Sequence, residues 1–134
     1  MFKRIENVLS EADYNQLHDT LSSFQFDWHY LPSSVPPDVI DVVSKSNSFN
    51  LYETGQFVHM FYDQKPLSPY WKLVEPILKS LDKPVVEMGR IKANLLMQNN
   101  SDNHAVNCPH VDRDREGWHS LIYYLNDSDG DTVL

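Results

Sequence analysis

A histidine and an aspartate stand two positions apart in the stretch Pro109-His110-Val111-Asp112. Side chains alternate along an extended segment, so the imidazole and the carboxylate would share one face. One imidazole and one carboxylate aimed at a single cation make two thirds of the 2-His-1-carboxylate triad that holds non-haem Fe(II). The spacing therefore predicts His110 and Asp112 as metal ligands, while the second histidine of such a triad has to come from elsewhere in the chain.

Two helices are predicted in the first 84 residues. Ser10 followed by Asp13 resembles a capping box, and the apolar residues after it recur at helical spacing, which predicts a helix over about residues 11–23. Ser68 followed by Pro69 is typical of a helix N-terminus. The apolar residues that follow share one helical face, which predicts a second helix ending near residue 82.

Most of the predicted strands lie in the second half of the chain. Alternating or β-rich apolar runs predict strands over residues 24–30, 56–62, 85–88, 90–98 and 118–125. Helices followed by consecutive strands indicate an α+β fold whose second half is an antiparallel sheet system. The stretch Asn126–Asp131 is rich in Asp and contains Gly130, which predicts a solvated turn before a further strand.

Composition limits the class of protein. A chain of 134 residues with 41% hydrophobic residues predicts one globular domain over residues 1–134. The net charge of −8 disfavours nucleic acid as a partner, because proteins that bind nucleic acid present a basic surface. The single cysteine, Cys108, excludes an internal disulfide and fits a reducing compartment. No secretory signal or membrane-length apolar run is present, so we expect a cytoplasmic protein with no membrane partner.

Residues 85–134 resemble the prolyl-hydroxylase-like branch of the 2-oxoglutarate and Fe(II)-dependent oxygenases, in the style of phage and marine bacterial members. The resemblance depends on four stretches that come in a fixed order, while the first 84 residues are similar only in their helix-then-strand layout. The four stretches are Arg90-Ile91-Lys92-Ala93-Asn94-Leu95, Pro109-His110-Val111-Asp112, Ile122-Tyr123-Tyr124-Leu125-Asn126 and Asp129-Gly130-Asp131-Thr132.

This resemblance implies a double-stranded β-helix, or jelly roll, with the N-terminal helices packed on it and Fe(II) at its open mouth. His110 and Asp112 would be the first two iron ligands, with no catalytic residue beyond the metal ligands. The implied cosubstrates are 2-oxoglutarate and O2, and the implied reaction hydroxylates a free or peptidyl amino acid or a small metabolite. Asn94, Tyr123 and Tyr124 would contact 2-oxoglutarate or line its pocket.

Two questions about these contacts stay open. For Asn94, a buried side chain bonded to the backbone is at least as good an interpretation. Tyr123 and Tyr124 are neighbours on a predicted strand and so point to opposite faces, and the alternation does not say which of them faces the pocket.

The sequence departs from the family after Asp112. The family's second histidine and the basic residue that pairs with the C5 carboxylate of 2-oxoglutarate lie on later strands. Here only His119 follows Asp112, and no Arg or Lys follows Arg115. We therefore expect a C-terminally truncated oxygenase that is not a competent catalyst alone. Open strand edges in such a fragment would favour a homo-oligomer or a strand swap.

Three alternatives remain at this point. The chain could be a non-catalytic jelly-roll relic, or a binding or assembly module without a functional iron site. A zinc site could use Cys108, His110 and His119, with His104 as a further donor, although their spacing fits none of the usual zinc patterns. His110 and Asp112 could also be surface residues on a polar loop.

Overall fold

The computed structural model describes residues 3–35, 38, 55–97, 107–108 and 115–128. Helices together with a three-stranded sheet make the protein α+β, as predicted. In the part of the chain that is described, no helix is both long enough and apolar enough to cross a membrane. The elements in chain order are helix α1 (Glu11–Ser22), strand β1 (His29–Leu31), strand β2 (Gln56–Asp63), a 3-10 helix (Trp71–Val74), helix α2 (Glu75–Lys79) and strand β3 (Arg90–Leu96).

The chain divides into two compact units. The first unit comprises Met1–Phe26, Phe61–Arg90 and His119–Leu134, and the second comprises Asp27–Met60 and Ile91–Trp118. The strand order of the sheet is β1-β2-β3, and β1 pairs antiparallel with β2.

Helix α1 begins where the sequence predicts it. The Ser10 hydroxyl oxygen accepts the Asp13 backbone N–H at 3.1 Å and donates its own proton to the Asp13 carboxylate at 2.6 Å. Glu11 and Asp13 also place negative charge in the first turn, where the helix dipole favours it. Leu17 is the buried residue of this helix. The predicted helix over residues 11–23 is confirmed to within one residue.

An aromatic cluster of Phe26, Phe61 and Tyr70 forms part of the core of the first unit. The Phe26 ring centroid lies 5.4 Å from that of Tyr70 and 6.2 Å from that of Phe61. The Phe61 carbonyl also accepts the backbone N–H groups of Leu67 and Ser68, at 3.0 and 3.3 Å. Side chain and backbone at Phe61 therefore fix the course of the chain after β2.

The predicted strand over residues 24–30 is wrong for its first half. The chain turns after α1, and the Phe26 N–H donates to the Ser23 carbonyl at 3.0 Å. Because of this turn Phe24 is 94% exposed while Phe26 is 5% exposed. Phe24 and Phe26 thus do not share a buried face, and the strand begins only at His29.

The second predicted helix is interrupted. The chain forms the 3-10 helix first and then the five residues of α2, with Pro76 at the start of α2. Proline lacks the N–H that a continuous helix needs, and its ring collides with the preceding turn. Ser68 still caps locally, because its hydroxyl accepts the Tyr70 N–H at 3.1 Å.

Two predicted strands are confirmed and two are wrong in their described residues. Strands β2 and β3 match the predictions over 56–62 and 90–98. Residues 85–88 and 118–125 belong to no strand of the described chain. Val86 is 95% exposed, so its β propensity is not supported by packing.

Replacing Phe26 by Ala should destabilise the protein far more than replacing Phe24. We expect Phe26→Ala to lower the free energy of unfolding by about 3–5 kcal/mol, since it empties part of the aromatic cluster. Phe24→Ala, the matched control two positions away, should change it by less than about 0.5 kcal/mol. Denaturant unfolding measures both values. Equal losses in the two variants would support the continuous strand instead.

Candidate functional site

The predicted metal ligands His110 and Asp112 lie outside the described residues, as does the part of the predicted turn after Ser128. Cys108, two positions before His110, is a buried thiol that forms no disulfide. The assignment of His110 and Asp112 as ligands therefore stays a prediction from their types and spacing.

Asn94 is the predicted cosubstrate contact on β3. Its side chain is exposed, which excludes the buried alternative that the sequence left open. Strand alternation places Asn94 on the same face as Lys92 and Leu96. An exposed amide beside a lysine on one face of a strand can donate hydrogen bonds to a carboxylate.

Tyr123 and Tyr124 have different surroundings, which the alternation alone could not assign. Tyr123 is half-buried, and this burial raises the pKa of its phenol above the ordinary value, with the neighbouring Tyr14 acting in the same direction. The Tyr14 hydroxyl donates to the Leu125 carbonyl at 3.1 Å. Tyr123 and Leu125 therefore lie on the less exposed side of this segment, near α1, while Tyr124 is exposed.

His59 is a buried polar residue that the sequence analysis did not single out. It lies in the middle of β2, and its Nδ1 is 2.8 Å from the Asp27 carbonyl oxygen. A carbonyl oxygen only accepts, so Nδ1 carries the hydrogen, and Nε2 is the lone-pair nitrogen when the ring is neutral. Metal-binding histidines are often oriented in this way. A single polar residue inside the apolar run 57–62 was the available sequence signal.

A shallow groove of about 410 Å³ lies along the 3-10 helix, α2 and the turn after them. The Lys79 ammonium on this groove pairs with the Glu75 carboxylate at 3.4 Å. The groove contains none of the predicted site residues. It is lined by Trp71, Glu75, Leu78, Lys79, Leu81, Lys83, Pro84 and Val85.

Among the residues that the structure describes, no three His, Cys, Asp or Glu side chains come together in a group that could hold a metal ion. Of the four residues weighed for zinc, only Cys108 and His119 are described. Cys108 is buried and His119 is exposed.

Comparison of the chain with protein-family models, with curated proteins and with solved structures gives no match in any of the three. The family resemblance therefore depends on the sequence motifs alone.

The raised pKa of Tyr123 predicts a loss of stability at alkaline pH. Above the ordinary tyrosine pKa of 10.0 the unfolded chain releases this proton before the folded chain does, so the free energy of unfolding falls as pH rises further. Tyr123→Phe should make this fall shallower. Tyr124→Phe is the matched control, because it removes a hydroxyl from an exposed neighbour.

Urea unfolding at several pH values on both sides of 10.0 measures these slopes. If Tyr123→Phe and the wild type lose stability in parallel, the burial of the Tyr123 phenol is refuted.

Proposed function

We propose that this chain carries the iron-binding motif of a 2-oxoglutarate- and Fe(II)-dependent dioxygenase of the prolyl-hydroxylase-like branch. The observation that carries the proposal is the pair His110 and Asp112, which have one residue between them and come in order among the three other stretches that resemble the family. An imidazole and a carboxylate are the donors that Fe(II) sites of this kind use.

The α+β architecture supports this proposal at a coarse level. A helix precedes a sheet in which β2 and β3 are neighbours, and β3 contains the whole of the first of the four stretches. We propose the jelly roll as the finer fold, with β3 as one of its strands.

Each residue of the proposed site has a simple chemical task. His110 and Asp112 would hold the metal ion, and iron with 2-oxoglutarate and O2 would supply the oxidising chemistry. Asn94 presents an exposed amide on β3 that can donate to a carboxylate of 2-oxoglutarate. The sequence provides two protein ligands, and no residue after Asp112 matches the family's second histidine.

The proposed substrate is a free or peptidyl amino acid or a small metabolite. Nucleic acid is disfavoured, because a chain of net charge −8 repels a phosphate backbone. Substrate choice within this class depends on the loops around the site rather than on its fold.

Anaerobic titration with Fe(II) tests the proposal. We expect one Fe(II) per chain and a rise in melting temperature, because a ligand that binds only the folded state stabilises it. His110→Ala and Asp112→Ala should each weaken Fe(II) binding by at least about tenfold, since even loss of a residue that only supports a metal ligand has this effect. Adding 2-oxoglutarate should tighten Fe(II) binding, whereas glutarate, which lacks the 2-oxo group, should not.

Two controls make the result specific. His29→Ala removes an exposed histidine from β1, and Asp127→Asn removes one charge from the predicted turn over Asn126–Asp131. Both variants should bind Fe(II) as the wild type does. Equal affinity in all five proteins would contradict the proposal. Such a result would favour a binding or assembly module without iron.

A further inference from the structure

Phe24 is an exposed aromatic side chain that the fold holds in a fixed position. It is 94% exposed, and it lies in a turn that backbone hydrogen bonds close. The Ser23 N–H donates to the Thr20 carbonyl at 3.2 Å, and the Phe26 N–H donates to the Ser23 carbonyl at 3.0 Å. The buried Phe26 ring anchors the end of this turn in the aromatic cluster. A large apolar side chain on a turn fixed in this way is preorganised to bind a partner.

The chain around Phe24 is acidic. Asp19 and Asp27 precede and follow Phe24, and both are exposed. The Asp19 carboxylate has the His18 ring as a neighbour, at 3.2 Å. Residues 5–27 contain no lysine or arginine and five acidic residues, which are Glu6, Glu11, Asp13, Asp19 and Asp27. A surface that complements this end of the molecule therefore combines apolar side chains with positive charge.

The groove along the 3-10 helix and α2 has this combination of properties. Its apolar lining consists of Trp71, Leu78, Leu81, Pro84 and Val85, and it also carries Lys79 and Lys83. In a chain of net charge −8, residues 65–85 contain four lysines and two acidic residues.

The two acidic residues of this stretch already have cations of their own. Glu75 pairs with Lys79, and Asp82 pairs with Lys3. Within the described parts of the chain, no carboxylate pairs with Lys83. Its ammonium group is exposed, so Lys83 can attract a carboxylate from another molecule.

The form of the groove fits a side chain that another molecule presents. Its volume of about 410 Å³ is small, and it is shallow, whereas sites for small molecules enclose most of their ligand. Phe24 does not fill the groove of its own chain, because Phe24 is 94% exposed. A second copy of the chain supplies what the groove lacks, which is an aromatic anchor between two carboxylates.

We propose that the groove binds Phe24 of a second copy, so that two copies form a two-fold dimer. In this dimer the Phe24 ring lies against Trp71 and the apolar side chains beside it, and the carboxylates that flank Phe24 lie near Lys83. The contact is made twice, since each copy contributes one Phe24 and one groove. The dimer uses no strand edge and does not depend on the iron chemistry proposed above.

Sedimentation of the full chain over a concentration series tests the dimer. We expect a monomer–dimer equilibrium that weakens as salt rises, because part of the attraction is between exposed charges. Phe24→Ala should weaken dimerisation by at least about tenfold, because each of the two contacts loses its aromatic ring. Gln25→Ala is the matched control on the same exposed turn and should leave dimerisation unchanged.

Val85 and Val86 provide a matched pair of variants for the groove. Val85 lines the groove, whereas its neighbour Val86 does not and is 95% exposed. Val85→Asn should weaken dimerisation by at least about tenfold, because it places an unpaired amide against the Phe24 ring in both contacts. Val86→Asn should have no effect.

Lys83 and Lys72 provide the corresponding pair for the charge. Lys83→Gln should weaken dimerisation and make it less sensitive to salt. Lys72→Gln removes an exposed lysine that does not line the groove, so it should do neither. Denaturant unfolding of each variant, at a concentration where the chain is monomeric, checks that the variant is folded.

Mixing Phe24→Ala with Val85→Asn tests which surfaces meet. Phe24→Ala keeps an intact groove and Val85→Asn keeps an intact Phe24, so a mixed dimer has one native contact of the two. The mixture should therefore dimerise more tightly than either variant alone and more weakly than the wild type.

Four results would overturn the proposal. A wild type that is monomeric up to about 1 mM would leave a different protein as the occupant of the groove. The others are a dimer that Phe24→Ala or Val85→Asn leaves intact, a dimer that Gln25→Ala or Val86→Asn weakens to the same extent, and a mixture that dimerises no more tightly than its two components.

Discussion

The contact of Phe26 with Phe61 and Tyr70 is the constraint on which the first unit depends. Phe26 follows α1, Phe61 lies in β2 and Tyr70 precedes the 3-10 helix, so three separate stretches meet in one aromatic cluster. Aromatic pairs at these distances contribute about 0.5–1.5 kcal/mol beyond the burial of their surface. The cluster explains why the chain turns immediately after α1, since a straight continuation would not direct Phe26 inward while Phe24 stays exposed.

Local signals in the sequence were sufficient where one interaction decides the structure. The Ser10 cap fixes the start of α1, and the β-rich run after Gly55 forms β2 as expected. The alternation from Phe24 to Tyr30 predicted a longer strand than the one that forms, because the turn at Ser23 and the contacts of Phe26 in the aromatic cluster override it. Pro76 was a visible signal against a continuous second helix, and its missing N–H explains the change from 3-10 to α geometry.

For the candidate site, too, some residues could be predicted from the sequence and others could not. His110 and Asp112 are predicted from their types and spacing together with the three other stretches that resemble the oxygenase family, because Fe(II) sites of that kind use an imidazole and a carboxylate. The burial of Tyr123 needed the fold, since the Tyr14 hydroxyl, more than 100 positions away in sequence, bonds to the Leu125 carbonyl in the same segment. His59 was missed for a similar reason: its tautomer is set by the carbonyl of Asp27, which no periodicity connects with β2.

The most direct test of the central claim is to locate a bound metal by NMR. Mn(II) can stand in for Fe(II), because it accepts the same nitrogen and oxygen donors and broadens the signals of nearby nuclei. At substoichiometric Mn(II), the signals of His110 and Asp112 should disappear first while those of Asp127 persist. Broadening that begins at Asp127 and spares His110 would contradict the account.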